Sequence, residues 1–315
     1  MSEKGRGEVL GLGKVSPEVL ERSVFSLLPM EGKPTLDGGT IPLDGKAVIA
    51  HSPSIGVPLD ALGFFAFHYA ASNVAARFGR PRHIVTGIYL PLETREGDLR
   101  VISRNLGDEA RRYGVTVVAG QTATYYGLEI PLITTTCIGE SVGRTASPRP
   151  GDRVFILGLV GGEAAWLERL SSSGGDDAFR GFTPLPCALG MQGIPGVRLM
   201  HDVSEGGVKR ALLEVSSAHS VKVDVDSGLI EYVEGSESIS QDILRAPTYG
   251  TLIAVADPAA RDDVVELCRG LGVPASDAGV VGRGSGLYID GDEVRASGRI
   301  PVDEIYGSFR KKGVA

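Results

Sequence analysis

His201-Asp202-Val203-Ser204-Glu205-Gly206-Gly207 is the stretch on which the reading of this chain turns. It follows the apolar residues Val197, Leu199 and Met200. It precedes Val208, Ala211, Leu212 and Val215, whose helical spacing predicts an amphipathic helix. A strand therefore delivers an imidazole, two carboxylates and a hydroxyl into a glycine turn at a helix start. The first turn of a helix leaves backbone N–H groups unpaired at the positive end of its dipole, which suits an anion such as phosphate. The same residues also support a plainer reading, in which Ser204 or Asp202 caps the helix and His201 is a satisfied loop residue. On local grounds both readings stand.

Outward from this stretch the pattern alternates between the two periodicities. Ser16 and Pro17 open a helix whose face is Leu20, Val24, Leu27 and Leu28. Strands are predicted at 47–50, 84–90, 115–118 and 133–138, with helices at 60–78 and 96–113. The aromatics Phe64, Phe65, Phe67 and Tyr69 exceed one helical stripe, so the surplus is expected to meet a second surface, such as another subunit. His68, on the same helix, reads as a hydrogen-bonded core residue, and Arg80 and Arg82 as candidates for interface salt bridges. The segment 144–152 holds two prolines, polar residues and a glycine, and continues neither helix nor strand. It is the expected boundary between domains at 1–147 and 148–315. Beyond it come strands at 154–157, 221–225, 251–255, 280–281 and 287–289, and helices at 163–170, 208–218 and 260–271. The result is an α/β chain in two halves.

Composition narrows the function classes. The 315 residues suffice for two medium domains, and 23% charged with 42% hydrophobic residues describes an ordinary globular chain. A net charge of −7 argues against general nucleic-acid binding. No apolar run is long enough to span a bilayer, and the N-terminus lacks the apolar core of a signal peptide, so a cytoplasmic location with no membrane partner is expected. Cys137, Cys187 and Cys268 are scattered without metal-ligand spacing, and Cys137 and Cys268 read as buried small hydrophobes.

The heptapeptide resembles a signature of the aminoimidazole-ribonucleotide (AIR) synthetase, or PurM-like, superfamily, and the archaeal HypE-like branch in particular. Further matches run in the family's order: 13–21, the helix ending in Gly79-Arg80-Pro81, Val117-Val118-Ala119-Gly120-Gln121-Thr122 leading to Cys137-Ile138-Gly139-Glu140, and Arg149-Pro150-Gly151-Asp152. The resemblance implies a PurM-like two-domain α/β fold. Its N-terminal domain would contribute strands to a β-barrel shared across a homodimer, beside a C-terminal α/β sandwich. It also implies ATP between the domains, Mg²⁺ held by carboxylates, and activation of a substrate oxygen as its phosphate.

Carried over residue by residue, the resemblance assigns His201, Asp202 and Glu205 to catalysis. Lys14, Asn73, Gln121, Thr122, Gly206 and Gly207 fall to ATP, and Asp37 and Asn73 to the metal. Asp37-Gly38 reads equally well as a hairpin turn, and Lys14 as a solvated surface lysine. Val160-Gly161-Gly162-Glu163 reads either as a second anion cradle or as a plain tight turn. Three acids of the family pattern are replaced. Its Thr-Asp-Pro stands here as His51-Ser52-Pro53, its Asn-Asp-Ile-Ala as Ser72-Asn73-Val74-Ala75, and its Gly-His-Thr-Glu as Gly120-Gln121-Thr122-Ala123. Weak Mg²⁺ binding is therefore expected. HypE carries a C-terminal cysteine that becomes the modified group. No cysteine follows Cys268 here, so the HypE thiocyanate reaction is not expected in its usual form.

Two functions compete. One is an ATP-binding enzyme that phosphorylates a substrate oxygen at a degenerate Mg²⁺ site. The other is a catalytically silent paralogue, a dimer that binds nucleotide or a maturation-type protein partner without turnover. The replaced acids favour the second, and the intact heptapeptide favours the first. A dehydrogenase-like fold is set aside, because Gly158-Leu159-Val160-Gly161-Gly162 is a poor dinucleotide fingerprint.

Overall fold

A computed structural model describes residues 13–14, 17–30, 45–143, 146–173, 176–204, 206–239 and 242–295. The chain divides into two units, Met1–Val74 with Gly79–Ser141, and Ala75–Phe78 with Val142–Val314.

Unit 1 runs β1 (Gly13–Lys14), α1 (Pro17–Leu20) passing into a wider π turn (Glu21–Phe25), β2 (Ala47–Ile55), α2 (Leu59–Ala76), β3 (Gly79–Leu90), α3 (Glu96–Arg112), β4 (Thr116–Thr124) and β5 (Leu132–Ser141). Its sheet has the order β1-β4-β3-β5-β2. Only β3 and β4 pair in parallel, and α3 supplies the crossover that a parallel pair requires. Pro53 lacks an N–H and is tolerated because β2 is an edge strand, while Pro81 of the central β3 sits at a register shift.

Helix α3 buries the face its spacing predicts, with Leu99, Ile102, Leu106 and Ala110 all sealed from solvent. Its first turn is tied to the π turn after α1 through Glu96, which accepts from Arg22 Nε at 2.7 Å, Arg22 Nη2 at 2.8 Å and Ser23 Oγ at 2.6 Å. The expectation that the α2 aromatics face another subunit is overturned for the three phenylalanines. Phe64, Phe65 and Phe67 have no exposed surface at all. A helix that is apolar all round is an interior helix, and its rings pack on neighbours in the same chain, Phe67 stacking on Tyr113 at 5.7 Å. Helices α2 and α3 touch through backbone, for a Cβ on Gly63 would stand 2.2 Å from the Ile102 carbonyl oxygen. His68 is a core residue as expected, its Nε2–H donating to Glu109 Oε2 at 3.0 Å. Arg82 pairs with Glu140 of the same chain at 2.9 Å.

Unit 2 runs β6 (Arg153–Leu157), α4 (Gly162–Ser173), α5 (Leu185–Met191), β7 (Val197–Asp202), α6 (Gly207–His219), β8 (Lys222–Val225), β9 (Leu252–Ala256), α7 (Arg261–Leu271), β10 (Ala275–Gly282), β11 (Gly286–Ile289) and β12 (Asp292–Val294). The seven strands order as β12-β11-β8-β10-β6-β9-β7, antiparallel except for β8 with β11. Val208, Ala211, Leu212 and Val215 of α6 pack on Val154, Ile156, Val223, Ile253 and Val255 of the sheet, which fixes the start of α6 beside the end of β7. Gly161-Gly162 is a tight turn whose leading amide is already satisfied, Gly161 N–H donating to Thr248 Oγ1 at 2.6 Å. Buried Glu163 accepts from Tyr249 N–H at 2.8 Å. All three cysteines are buried. Among the described residues no helix is long and apolar enough to cross a membrane.

Candidate functional site

Strand β7 ends on His201 and Asp202, which pair in register with Ile253 and Leu252 of β9. Val203 is buried and donates its N–H to Thr251 O at 3.1 Å, which anchors the chain as it leaves the sheet. The turn then depends on Gly207, whose φ of +64° lies in the left-handed region. A Cβ there would lie 2.5 Å from Leu244 O and 2.7 Å from Ala246 O, so the 244–246 backbone lies directly on the turn. Two of the amides expected to cradle an anion are taken internally: Gly207 N–H donates to Ser204 O at 3.0 Å and Lys209 N–H to Leu244 O at 2.8 Å.

The ionisable centre of this site includes a residue the motif does not contain. His201 Nε2–H donates to Glu214 Oε2 at 2.9 Å, two turns into α6, and Arg210 Nε donates to the other oxygen of Glu214 at 2.6 Å. His201 Nδ1 lies 4.0 Å from Asp202 Oδ1, too far for a direct hydrogen bond. Burial pulls the His201 pKa down, but the Glu214 hydrogen bond and the charges of Asp202 and Glu214 outweigh it and leave it raised. Burial lifts the Asp202 carboxyl above its ordinary value against the pull of His201. The hydrogen bond from His201, joined by that from Arg210, holds Glu214 down to about 2. The centre thus pairs a histidine that favours its charged form with a carboxyl that resists ionising, an arrangement suited to moving a proton. The spacing of Arg210 and Glu214 is a visible helical ion pair, but nothing in the sequence ties it to His201.

In unit 1 the half-buried Asn73 of α2 donates from Nδ2 to Ser52 Oγ of β2 at 3.3 Å. The two side chains are therefore neighbours here and share a neutral hydrogen bond. Ala123 of β4 is buried. Gln121 and Thr122 are half-buried on β4 and, as consecutive strand residues, point to opposite faces of the sheet. Lys14 pairs with Ala123 through β1, its side chain lying outside the described residues, as do Asp37 and Glu205. Among the described residues no three His, Cys, Asp or Glu side chains group to hold a metal ion. A separate open hollow of about 390 Å³ in unit 2 is lined by Arg153, Asp224, Asp226, Leu229 and Asp290. Its carboxylates are engaged locally, Asp290 accepting from Ser227 N–H and Oγ–H at 2.8 and 2.6 Å, and it does not include His201.

These two mixed sheets, with the strand–glycine–helix turn in the second, define a class. Residues 37–141 match the AIR synthase related protein N-terminal domain, and residues 149–292 match its C-terminal domain. The chain belongs to the AIR synthase related protein family. Carbamoyl dehydratase HypE of Cupriavidus necator is 27% identical over 249 residues, covering 73% of this chain and 71% of that protein. The solved E. coli HypE, a hydrogenase maturation protein, superposes with a TM-score of 0.77 at 19% identity, covering 91% of this chain and 97% of that one. A HypE solved in complex with ATP superposes at 0.74 and 19% identity, covering 94% and 99%. A HypE–HypF complex superposes at 0.67 and 18% identity, covering 81% and 89%.

Proposed function

We propose that this protein is an ATP-binding member of the HypE-like branch that activates a substrate oxygen by phosphorylation, with its domains at 1–147 and 148–315. His201, Asp202 and Glu205 serve the reaction. Lys14, Asn73, Gln121, Thr122, Gly206 and Gly207 serve the nucleotide. The observation that carries the reading is the His201–Glu214 pair at the end of β7, a proton-handling group where a strand feeds a helix through glycine. The ATP complex of a HypE of the same fold supports the choice of nucleotide.

The metal side is weak. Ser52 and Asn73 bring neutral oxygens and bond to one another, which leaves Asp37 as the remaining carried-over acid and predicts poor Mg²⁺ affinity. That pair favours the second reading, a silent paralogue that holds nucleotide or a maturation-type partner, the latter supported by the HypE–HypF complex. Calorimetric titration of ATP with and without Mg²⁺, followed by assay for ADP release, separates them. Binding with turnover supports the enzyme, and binding without turnover the paralogue. Absence of binding refutes both as nucleotide proteins.

Assembly is proposed as a homodimer with first-domain strands shared in a barrel. The support is edge strand β2, which pairs only with β5 among the described strands and where Ile49 is 64% and Ile55 46% exposed. Light scattering should give a dimer mass, and Ile49→Lys with Ile55→Lys a monomer. A monomer at micromolar concentration for the natural sequence would remove this proposal.

A further inference from the structure

We infer that Glu214 is the positioning residue of this site: clamped by Arg210, its carboxylate fixes the His201 ring so that Nδ1, beside Asp202, is the atom left to exchange a proton with substrate. The inference rests on the reading of His201 as a site residue and deepens it. Each oxygen of Glu214 has one donor, Oε2 from His201 Nε2–H at 2.9 Å and Oε1 from Arg210 Nε at 2.6 Å. A carboxylate held at both ends cannot rotate without losing a charge-assisted bond. It therefore orients the imidazole and requires Nε2 to carry a proton, as a carboxylate does for the histidine in many catalytic sets.

With Nε2 committed, Nδ1 faces Asp202 Oδ1 across 4.0 Å, with no direct hydrogen bond between them. Sharing the space around Nδ1 in this way suits a substrate oxygen or a water that would bond to both groups. The charged groups facing His201 are Asp202 from β7, Glu214 from α6, and Arg77 from the Ala75–Phe78 segment of unit 2, whose charge opposes protonation. The Gly206 turn is tied to the same clamp, because a Cβ on Gly206 would strike Arg210 Cβ and Cγ at 2.4 and 2.5 Å. Gly206 is thus the residue that lets Arg210 lie back toward Glu214.

The test is a pH titration of the His201 ring in the full chain by ¹⁵N-histidine NMR, with the resonance assigned by its loss in His201→Asn. Glu214→Gln keeps the acceptor and removes the charge. It should move the His201 midpoint to lower pH and shift the neutral ring away from the Nε2–H tautomer. Glu214→Asp, which restores the charge on a shorter arm, should recover part of the shift. Arg210→Gln alters an exposed side chain and serves if Glu214→Gln does not fold; it should loosen the tautomer preference. Loss of the fold would also return the midpoint to that of an ordinary histidine, so each variant counts only when the dispersion of its amide spectrum shows it folded. An unmoved midpoint and tautomer in a folded variant overturns the inference, whatever ATP does. Absence of ATP binding by the natural sequence, beside a midpoint that still responds, overturns the functional reading and leaves the positioning of the ring supported.

Discussion

Alanine at Gly207 should unfold unit 2 at a lower temperature than alanine at Gly206, although the two glycines are adjacent and both carry the motif. Gly207 has φ +64°, and an L-residue in the left-handed region costs about 1–2 kcal/mol. Its new Cβ would also stand 2.5 Å from Leu244 O and 2.7 Å from Ala246 O. These are backbone atoms, so the 244–246 segment must move, and forced overpacking of this kind costs about 1–3 kcal/mol. Together the loss is about 2–5 kcal/mol, which for a unit of this size lowers the unfolding midpoint by roughly 4–20 °C. Gly206 has φ −89°, open to any residue; its Cβ would stand 2.4 and 2.5 Å from Arg210 Cβ and Cγ, so Gly206→Ala also displaces a neighbour, but a side chain rather than backbone and with no left-handed penalty. Loss of a glycine N-cap adds no more than about 1 kcal/mol. Differential scanning calorimetry and urea unfolding read both variants. If Gly207→Ala melts within about 1 °C of the natural protein, or together with Gly206→Ala, the account of the turn is wrong.

Three further outcomes are expected. Glu96→Gln should destabilise unit 1 at neutral pH by about 1.5–3 kcal/mol, the range for hydrogen bonds to a charged group. The Arg22 hydrogen bonds, with that of Ser23, hold Glu96 at about 2 against an ordinary 4.5, so its stabilisation is full above 4.5 and fades as pH falls toward 2; urea unfolding across that window checks it. Burial holds His68 below its ordinary 6.5 despite Glu109, so the folded state resists protonation and stability falls as pH drops below 6.5. His68→Gln should flatten that slope, and an unchanged slope would show that another group titrates there. Ser52→Asp with Asn73→Asp should raise Mg²⁺-dependent ATP affinity by calorimetry, because the two positions already meet and each carboxylate adds charge beside a divalent cation. Adding Ala123→Glu should instead lower the melting temperature, since that side chain would enter a buried site.

Periodicity carried the reading where one face of an element is buried. Leu99, Ile102, Leu106 and Ala110 declared α3, and Val208, Ala211, Leu212 and Val215 declared α6, because a half-buried helix must segregate its residues. The same logic failed at α2. A helix buried all round has no polar face, so its surplus aromatics looked like an interface. Helix α5 escaped notice because its seven residues make barely two turns, too short for a periodic signal.

The site divides in the same way. By itself the sequence determined the order of the family motifs and the glycine turn between β7 and α6, because these are local facts of residue type and spacing. Only the tertiary structure decided that Glu214 reaches back to His201, that Asn73 bonds Ser52 across 21 positions of chain, and that Leu244 already takes the amide of Lys209. Those pairings join residues distant in sequence, and hydrogen bonds of a few ångströms exist only after packing has brought their elements together.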